Sequence, residues 1–201
     1  MKAVGVLLAE LCRIVPDGMV VYFFSHDGME AFRKEMEKGE ENIFEGMNEK
    51  KKVFFEAEFE EENIENINKF KKYCLIGRGA IFIMSSSSKV ARKHTFYNNL
   101  SNSILFIGLP ERKSPAFYSN EASKESEQDI EEMERLSIFN MCLNNCINDP
   151  LEYKTVIFVG REITSNLEAH WYAFIRKWDE TTRDSFPEMK KHYQQMRSPS
   201  F

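Results

Sequence analysis

The fold class follows from one stretch of sequence, Val15-Pro16-Asp17-Gly18-Met19-Val20-Val21-Tyr22-Phe23-Phe24-Ser25-His26. Pro16-Asp17-Gly18 ends the preceding segment and turns the chain. Met19 to Phe24 is then apolar throughout over the length of a strand, which is typical of a strand buried on both faces of a parallel sheet. After it, Ser25 or Asp27 can cap a helix, so the stretch predicts a turn, a buried strand and a helix in that order.

The same alternation of strand and helix continues along the chain. Four further strands are predicted at Val53–Phe55, Ala80–Met84, Ile104–Ile107 and Val156–Val159. Helices are predicted where apolar residues recur at helical spacing. Their inner faces are Val4, Leu7, Leu8, Leu11 and Ile14; Met29, Phe32 and Met36; Ile64, Ile67, Phe70 and Cys74; and Ile130, Met133, Leu136, Leu143 and Ile147. The pattern predicts an α/β fold, an open and mainly parallel sheet with helices on both faces.

Ligands of open parallel sheets bind at the carboxyl ends of the strands, so the loops that follow the strands are the candidate locations of a site. They are Ser25–Gly28, Ser85–Leu100, Pro110–Pro115 and Gly160–Asn166. Beyond the last strand, helical spacing of Leu167, Trp171, Phe174 and Trp178 predicts a helix with a core or interface face. We expect residues 1–201 to form one domain, with a helical tail at about 187–201.

Composition restricts the class of partner. The chain of 201 residues has a formal net charge of −5, whereas proteins that grip nucleic acid unaided are usually basic. The four cysteines form no C-x-x-C pair, which predicts free thiols in a reducing compartment and no metal or iron–sulfur site. Because there is neither a long apolar stretch nor a signal sequence, we expect no membrane partner and a cytosolic or nuclear location.

Four stretches, taken in order, resemble the XPD-type DNA helicases of superfamily 2. They are Val15–His26; Lys52–Glu56; Gly77–Ile81 with Lys89-Val90 and Gly108–Pro110; and Glu152–Arg161. The segment Tyr193–Pro199 also resembles the end of the family's motor. The resemblance covers nearly the whole chain and implies a RecA-like fold, the P-loop NTPase fold, corresponding to the second or C-terminal motor domain. It further implies a nuclear protein linked to the transcription and repair factor TFIIH.

The resemblance also implies that this chain corresponds to only one of the family's two motor domains. The family's first motor domain carries a phosphate loop, G-x-x-x-x-G-K-[ST], an acidic metal box and a cysteine-ligated cluster, and neither the loop nor the box occurs here. We therefore expect no cofactor on this chain alone, and ATP and Mg only if a first motor domain is supplied. The chain begins where a second motor domain should begin, which suggests a split or shortened gene.

The family's second motor domain reaches the nucleotide with a segment Q-x-x-G-R-x-x-R. Here Met141 stands at the glutamine position, Asn144 at the glycine position, and Asn145 and Asn148 at the two arginine positions. A neutral amide cannot replace a bidentate guanidinium, and an arginine finger is worth about 10³–10⁵ in rate. We expect no catalytic residue and ATP turnover close to background, unless Arg161 or Arg112 takes over the role.

A second family segment, A-R-G-K-V-S-E-G-I-D-F, corresponds to Ser86–Phe96. Its acids are replaced by Arg92 and Thr95, and its glycines by Ser88 and Lys93, while Lys89 is retained. The serines before Lys89 could form a phosphate cradle, but a polar loop without a ligand is the favoured interpretation. The candidates for a residual nucleic-acid contact are Ser25, Lys89 and Arg92.

Two functions remain open. The favoured hypothesis is a pseudoenzyme, a non-catalytic module for protein interaction in TFIIH-linked transcription and nucleotide excision repair. It would dock on a core TFIIH subunit through the Trp171–Trp178 helix or the tail. The alternative is the second half of a split ATP-dependent DNA helicase, active only with a separate first motor domain. A truncated or decaying gene product without a stable role is a third possibility.

Overall fold

The computed structural model describes residues 2–38, 43–108, 134, 137–148 and 154–159. They form one parallel sheet in the order β2-β3-β1-β4-β5. The strands are β1 Gly18–Phe23, β2 Lys52–Phe55, β3 Ala80–Ser85, β4 Ser103–Ile107 and β5 Thr155–Val159. Every neighbouring pair runs parallel, and the continuous apolar run gives the central strand β1, with all of its residues buried. The predicted α/β fold class and the five predicted strands are confirmed.

Helices cover the sheet on both sides. They are α1 Lys2–Ile14, α2 His26–Lys38, α3 Ile43–Lys50, α4 Glu60–Leu75 and α5 Lys89–Lys93, followed by a 3₁₀ turn at Asn98–Ser101 and a helical segment at 137–144. Residues of α1, α2 and α3 pack with Met19, Val21 and Phe23 on one face. Residues of α4, α5 and 137–146 pack with Val20 and Tyr22 on the other. Successive residues of β1 thus serve two separate cores, as strand geometry requires.

The segment 137–146 is anchored on the sheet by aromatic contacts. The Phe139 ring lies 4.6 Å from the Phe106 ring, which itself stacks on Tyr22 at 5.4 Å. The Tyr22 hydroxyl is 3.4 Å from the carbonyl oxygen of Cys142, to which it donates, and from the sulfur of Cys146. Burial raises the pKa of this hydroxyl well above its ordinary value. The segment that resembles the nucleotide-facing motif therefore has a fixed place over β1 and β4.

Two short helices depart from the sequence-based expectation. The region Ser85–Leu100, expected as a loop, contains α5 because the Ser88 hydroxyl accepts a hydrogen bond of 3.0 Å from the Ala91 amide and caps the helix. Helix α3 was not predicted. Only one of its residues, Met47, is buried, and a single buried position cannot give the repeating apolar spacing that marks a helix in the sequence. Neither helix has an apolar repeat long enough to be recognised in the sequence.

The inner face of α4 also differs from the prediction. Ile67, Phe70 and Cys74 are buried as predicted, but Ile64 is 46% exposed, so its assignment to the inner face was wrong. Asn63 occupies the first inward position instead. Its amide exchanges hydrogen bonds of 2.8 Å with the backbone of Ala57 and is fully engaged at the start of the helix. Steps of four, three and four residues join Asn63 to Ile67, Phe70 and Cys74, so regular helical spacing places Asn63 inward and Ile64 to the side.

Several predicted features lie outside the described residues. They are the helix Leu167–Trp178, the tail from Pro187, the loops Pro110–Pro115 and Gly160–Asn166, and most of the helix start around Ile130. Within the part of the chain that the structure describes, no helix is long and apolar enough to cross a membrane.

Candidate functional site

The carboxyl ends of the three central strands lie side by side. The Ser86 amide donates to the Phe23 carbonyl at 2.8 Å, and the Phe24 amide donates to the Ile107 carbonyl at 3.2 Å. The loops after β1, β3 and β4 therefore start at one edge of the sheet. This is the edge at which open parallel sheets bind their ligands.

Ser25, at the end of β1, acts as a helix cap. Its hydroxyl accepts a hydrogen bond of 3.2 Å from the Gly28 amide, and its carbonyl accepts one of 3.1 Å from the Met29 amide. The predicted cap of α2 is confirmed at Ser25. The nucleic-acid contact predicted for this residue stays a prediction, and within the protein the hydroxyl serves as an acceptor for the Gly28 amide.

The serine-rich loop after β3 bonds to itself and to Glu56. The Ser85 and Ser87 hydroxyls lie 3.0 Å apart, while the Ser88 hydroxyl caps α5. The Ser85 amide donates to the Glu56 carboxylate at 2.7 Å. Burial raises the pKa of Glu56, an effect opposed by hydrogen bonds from the Ser85 amide and the Ser88 side chain. Glu56, the charged residue that directly follows β2, was not predicted from the sequence as a candidate site residue.

Lys89 lies at a shallow cleft of about 200 Å³ beside this loop. The cleft is lined by Glu56, Ala57, Glu58, Glu60, Asn63, Lys89, Val90, Lys93 and His94. Lys93 forms an ion pair of 2.7 Å with Glu60. Burial, and secondarily the nearby charge of Lys71, lowers the pKa of His94, which favours its neutral form at neutral pH. The three glutamates of this cleft outnumber its two lysines, and neither Ser25 nor Arg92 belongs to its lining.

The four candidate nucleotide-facing positions lie in the segment 137–148. Met141 is half-buried against the core, and Asn144 and Asn148 are exposed. Asn145 is half-buried. Its side-chain amide donates to the Ala91 carbonyl at 2.5 Å, and its own carbonyl accepts from the Phe96 amide at 2.6 Å. Asn145 therefore ties this segment to α5, through Ala91, and to Phe96 in the stretch that follows α5.

A second contact holds the turn at residues 145–146 in place. The Ser101 hydroxyl donates to the Cys146 carbonyl at 2.9 Å and also lies close to the Phe96 carbonyl. The two segments that resemble the nucleic-acid and nucleotide motifs are thus brought together. Neither the Ser101 contact nor the Asn145 contact was expected from the sequence. The side chains at the two arginine positions, both asparagine, carry no charge.

The four cysteines are buried free thiols. Burial raises the pKa of Cys12, Cys74 and Cys146 to about 12, and that of Cys142 well above its ordinary value. No cluster of three or more potential metal ligands occurs among the residues with described positions. Thiols of this kind behave as small apolar side chains of the core.

Comparison with known proteins identifies similar proteins among the curated helicases. No family model matches the chain. Over 164 residues, or 78% of its length, it is 25% identical to the "General transcription and DNA repair factor IIH helicase subunit XPD" of Arabidopsis thaliana. Over 80% of its length it is 24% identical to the subunit XPD/RAD3 of Saccharomyces cerevisiae. The chain is related to the XPD-type helicases of superfamily 2.

The XPD-type relationship concerns a limited part of each relative. The chain spans about a fifth of the Arabidopsis and yeast proteins, 21% of each. A related helicase, CHL1 of Yarrowia lipolytica, is 28% identical over 110 residues, which are 53% of this chain and 13% of that protein. A solved structure of an XPD helicase aligns with 79% of this chain and 27% of its own, at 14% identity and a TM-score of 0.47.

Proposed function

We propose that this chain is a degenerate C-terminal motor domain of the XPD type, without catalytic activity, which acts as a protein-interaction module in the nucleus. Its setting would be TFIIH-linked transcription and nucleotide excision repair. The observation that carries the proposal is Asn145. It stands where the resemblance places a catalytic arginine, and its amide is bonded to the Ala91 carbonyl at 2.5 Å.

The loss of a nucleotide contact follows from charge and geometry. Stabilising the charge that develops on a transferred phosphoryl group requires a fixed cation. Asn145 supplies a neutral amide that is already engaged inside the protein, and Asn148 is also neutral. These residues do not fit the terminal phosphate of ATP, so we propose that neither ATP nor Mg is used by this chain alone.

Weak or absent binding of nucleic acid follows from the serine loop. The Ser85 amide and the hydroxyls of Ser85 and Ser88 have partners within the protein, and one partner is the Glu56 carboxylate. A carboxylate at this place opposes a phosphate by charge, and the chain as a whole carries −5. The exposed cations Lys89 and Arg92 are too few to offset this at cellular salt.

The scaffold, in contrast, is complete in the described part. Both faces of the sheet are covered, and β1 is buried from end to end. A fold that is kept while its charged site is lost fits a role in which the surface, and not the chemistry, is used. A core TFIIH subunit is the partner that we propose, because the Arabidopsis and yeast relatives are named as subunits of that factor.

Two assays test the two parts of the proposal separately. Mixed with the first motor domain of an XPD-type helicase and single-stranded DNA, the full chain should give no more ATP turnover than that domain alone. The intact second motor domain of the same helicase serves as the positive control. In a pull-down with individually purified core TFIIH subunits, at least one should bind. Turnover near that of the control would overturn the non-catalytic part, and failure of every subunit to bind would overturn the TFIIH part.

The alternative is the second half of a split helicase. It is favoured by Lys89, which is retained at the cleft and exposed, and by Gly108, whose φ of +82° preserves a conformation that favours glycine. The same turnover assay distinguishes the two functions, because only a split helicase would be activated by the added first domain.

A further inference from the structure

The outer face of α4 concentrates exposed apolar side chains. Among the described residues, five large hydrophobic side chains are exposed, and four of them belong to α4 or directly adjoin it. They are Phe59, Ile64, Leu75 and Ile76. The inward positions of the helix, Asn63, Ile67, Phe70 and Cys74, are separately buried against the sheet. The exposed residues are therefore additional to the core.

Part of this outer face has the spacing of a helix-pairing seam. Ile64, Asn68, Lys71 and Leu75 follow one another at steps of four, three and four residues, the d-a-d-a pattern of a heptad repeat. The two apolar members stand at its ends, with 46% of Ile64 and 81% of Leu75 exposed. Eleven residues of helix separate them by roughly 16 Å, so a partner helix would contact both ends along one line.

The charges of α4 are divided between its two halves. The first half carries Glu60, Glu61, Glu62 and Glu65, and the second half with the following turn carries Lys69, Lys71, Lys72 and Arg78. Glu65 and Lys69 form an ion pair of 2.7 Å at the boundary. The helix dipole favours such charges only in the first and last turns, whereas here the division extends to the middle. A second α4 laid antiparallel would place acid against base along its whole length.

We propose that the outer face of α4 is a docking surface for a second copy of this chain, with the two helices antiparallel about a twofold axis. Ile64 of one copy then packs on Leu75 of the other, and Asn68 lies opposite Lys71. Each contact occurs twice, because a twofold interface is self-complementary. A parallel pairing is disfavoured, since it would set the acidic halves against each other.

The expected dimer is weak and sensitive to salt. Only two large apolar residues per copy lie in the seam, and exposed ion pairs are screened within about 8 Å at physiological ionic strength. Sedimentation equilibrium of the full 201-residue chain should therefore show a dimer that grows with concentration and dissociates in high salt. Leu75→Glu should weaken it about tenfold or more, whereas Val6→Glu, which changes an exposed apolar residue on α1, should leave it unchanged.

Reversal of charge provides a test that misfolding cannot imitate. A basic variant, Glu61→Lys with Glu65→Lys, and an acidic variant, Lys69→Glu with Lys72→Glu, each lose the same Glu65–Lys69 ion pair. Each alone should be monomeric, since the two reversals bring the net charge of the altered half to zero and remove its attraction to the opposite half of a second copy. Mixed in equal amounts, they should form a heterodimer with restored acid–base contacts. A wild-type chain that stays monomeric at every concentration, or variants that fail to associate on mixing, would overturn the proposal.

Discussion

The ammonium of Lys51 donates a hydrogen bond of 2.6 Å to the backbone carbonyl of Asp17, although only 4% of the lysine is exposed. The same carbonyl accepts a hydrogen bond of 3.2 Å from the Ala80 amide. Three strands meet here, because Asp17 precedes β1, Lys51 precedes β2 and Ala80 begins β3. The contact therefore holds the amino edge of the sheet together, at the end opposite the candidate site.

Replacing the buried lysine should destabilise the fold. Lys51→Met keeps most of the apolar stem but removes the charged donor, and the free energy of unfolding should fall by about 1–3 kcal/mol. Lys52→Met, at the exposed neighbouring position, should change it by less than about 0.5 kcal/mol. Unfolding in urea, followed by circular dichroism, measures both. Equal midpoints for the two variants would show that the buried contact contributes nothing.

Gly79 should not tolerate a side chain. A Cβ atom there would overlap the Lys51 ammonium and lie 2.6 Å from the Asp17 carbonyl oxygen, and the backbone φ is +70°. Gly79→Ala is expected to lower the free energy of unfolding by about 1–3 kcal/mol, through the strained backbone and the displaced lysine. Gly46→Ala is the matched control, because it meets no atom within 4 Å and lies in a helix, where alanine is favoured. Thermal unfolding that shifts equally in both variants would contradict this account.

The stability contributed by Glu56 should depend on pH. Burial raises its pKa in the folded state above the usual 4.5, so the folded protein retains this proton to higher pH than the unfolded chain. The stabilisation is present below pH 4.5 and is lost as the pH rises through the raised value. Compared with wild type, Glu56→Gln should therefore gain relative stability across that window.

Urea unfolding at a series of pH values from 4 to 8 measures the difference in the free energy of unfolding between wild type and Glu56→Gln. The contributions of the other titrating groups largely cancel in this difference. Glu58→Gln removes the same charge at an exposed neighbouring position and controls for net charge. A constant difference between wild type and Glu56→Gln at every pH would refute a raised pKa.

Asn145 should stabilise the fold more than the other asparagines of its segment. Asn145→Ala removes the amide that donates to the Ala91 carbonyl. Because this partly buried carbonyl then lacks a donor, the free energy of unfolding should fall by about 1–3 kcal/mol. Asn148→Ala, at an exposed position, should have little effect. Hydrogen exchange of the Phe96 amide, which donates to the Asn145 carbonyl, should accelerate only in the first variant. Unchanged exchange there would mean that the two segments are held together by other contacts.

The elements with a strong local pattern were predictable. The buried strands, and the inner faces of α1 and α2, follow from apolar runs and helical spacing that are visible within a short window. The helices α3 and α5 are too short to show such a pattern, and the apolar Ile64 was assigned to an inward position that the polar Asn63 occupies, with its amide bonded to the backbone of Ala57. Local periodicity therefore predicted the layers of the fold but not the details of their edges.

The sequence alone determines which residues stand at the candidate site. Amides at two arginine positions and a net charge of −5 are determined by the chain and need no coordinates. Only the tertiary structure decided what those residues do. Asn145 bonds a residue 54 positions away, and Glu56 bonds one 29 positions away. Such contacts arise because parallel strands bring distant loops to one edge, and no local pattern in the sequence records that proximity.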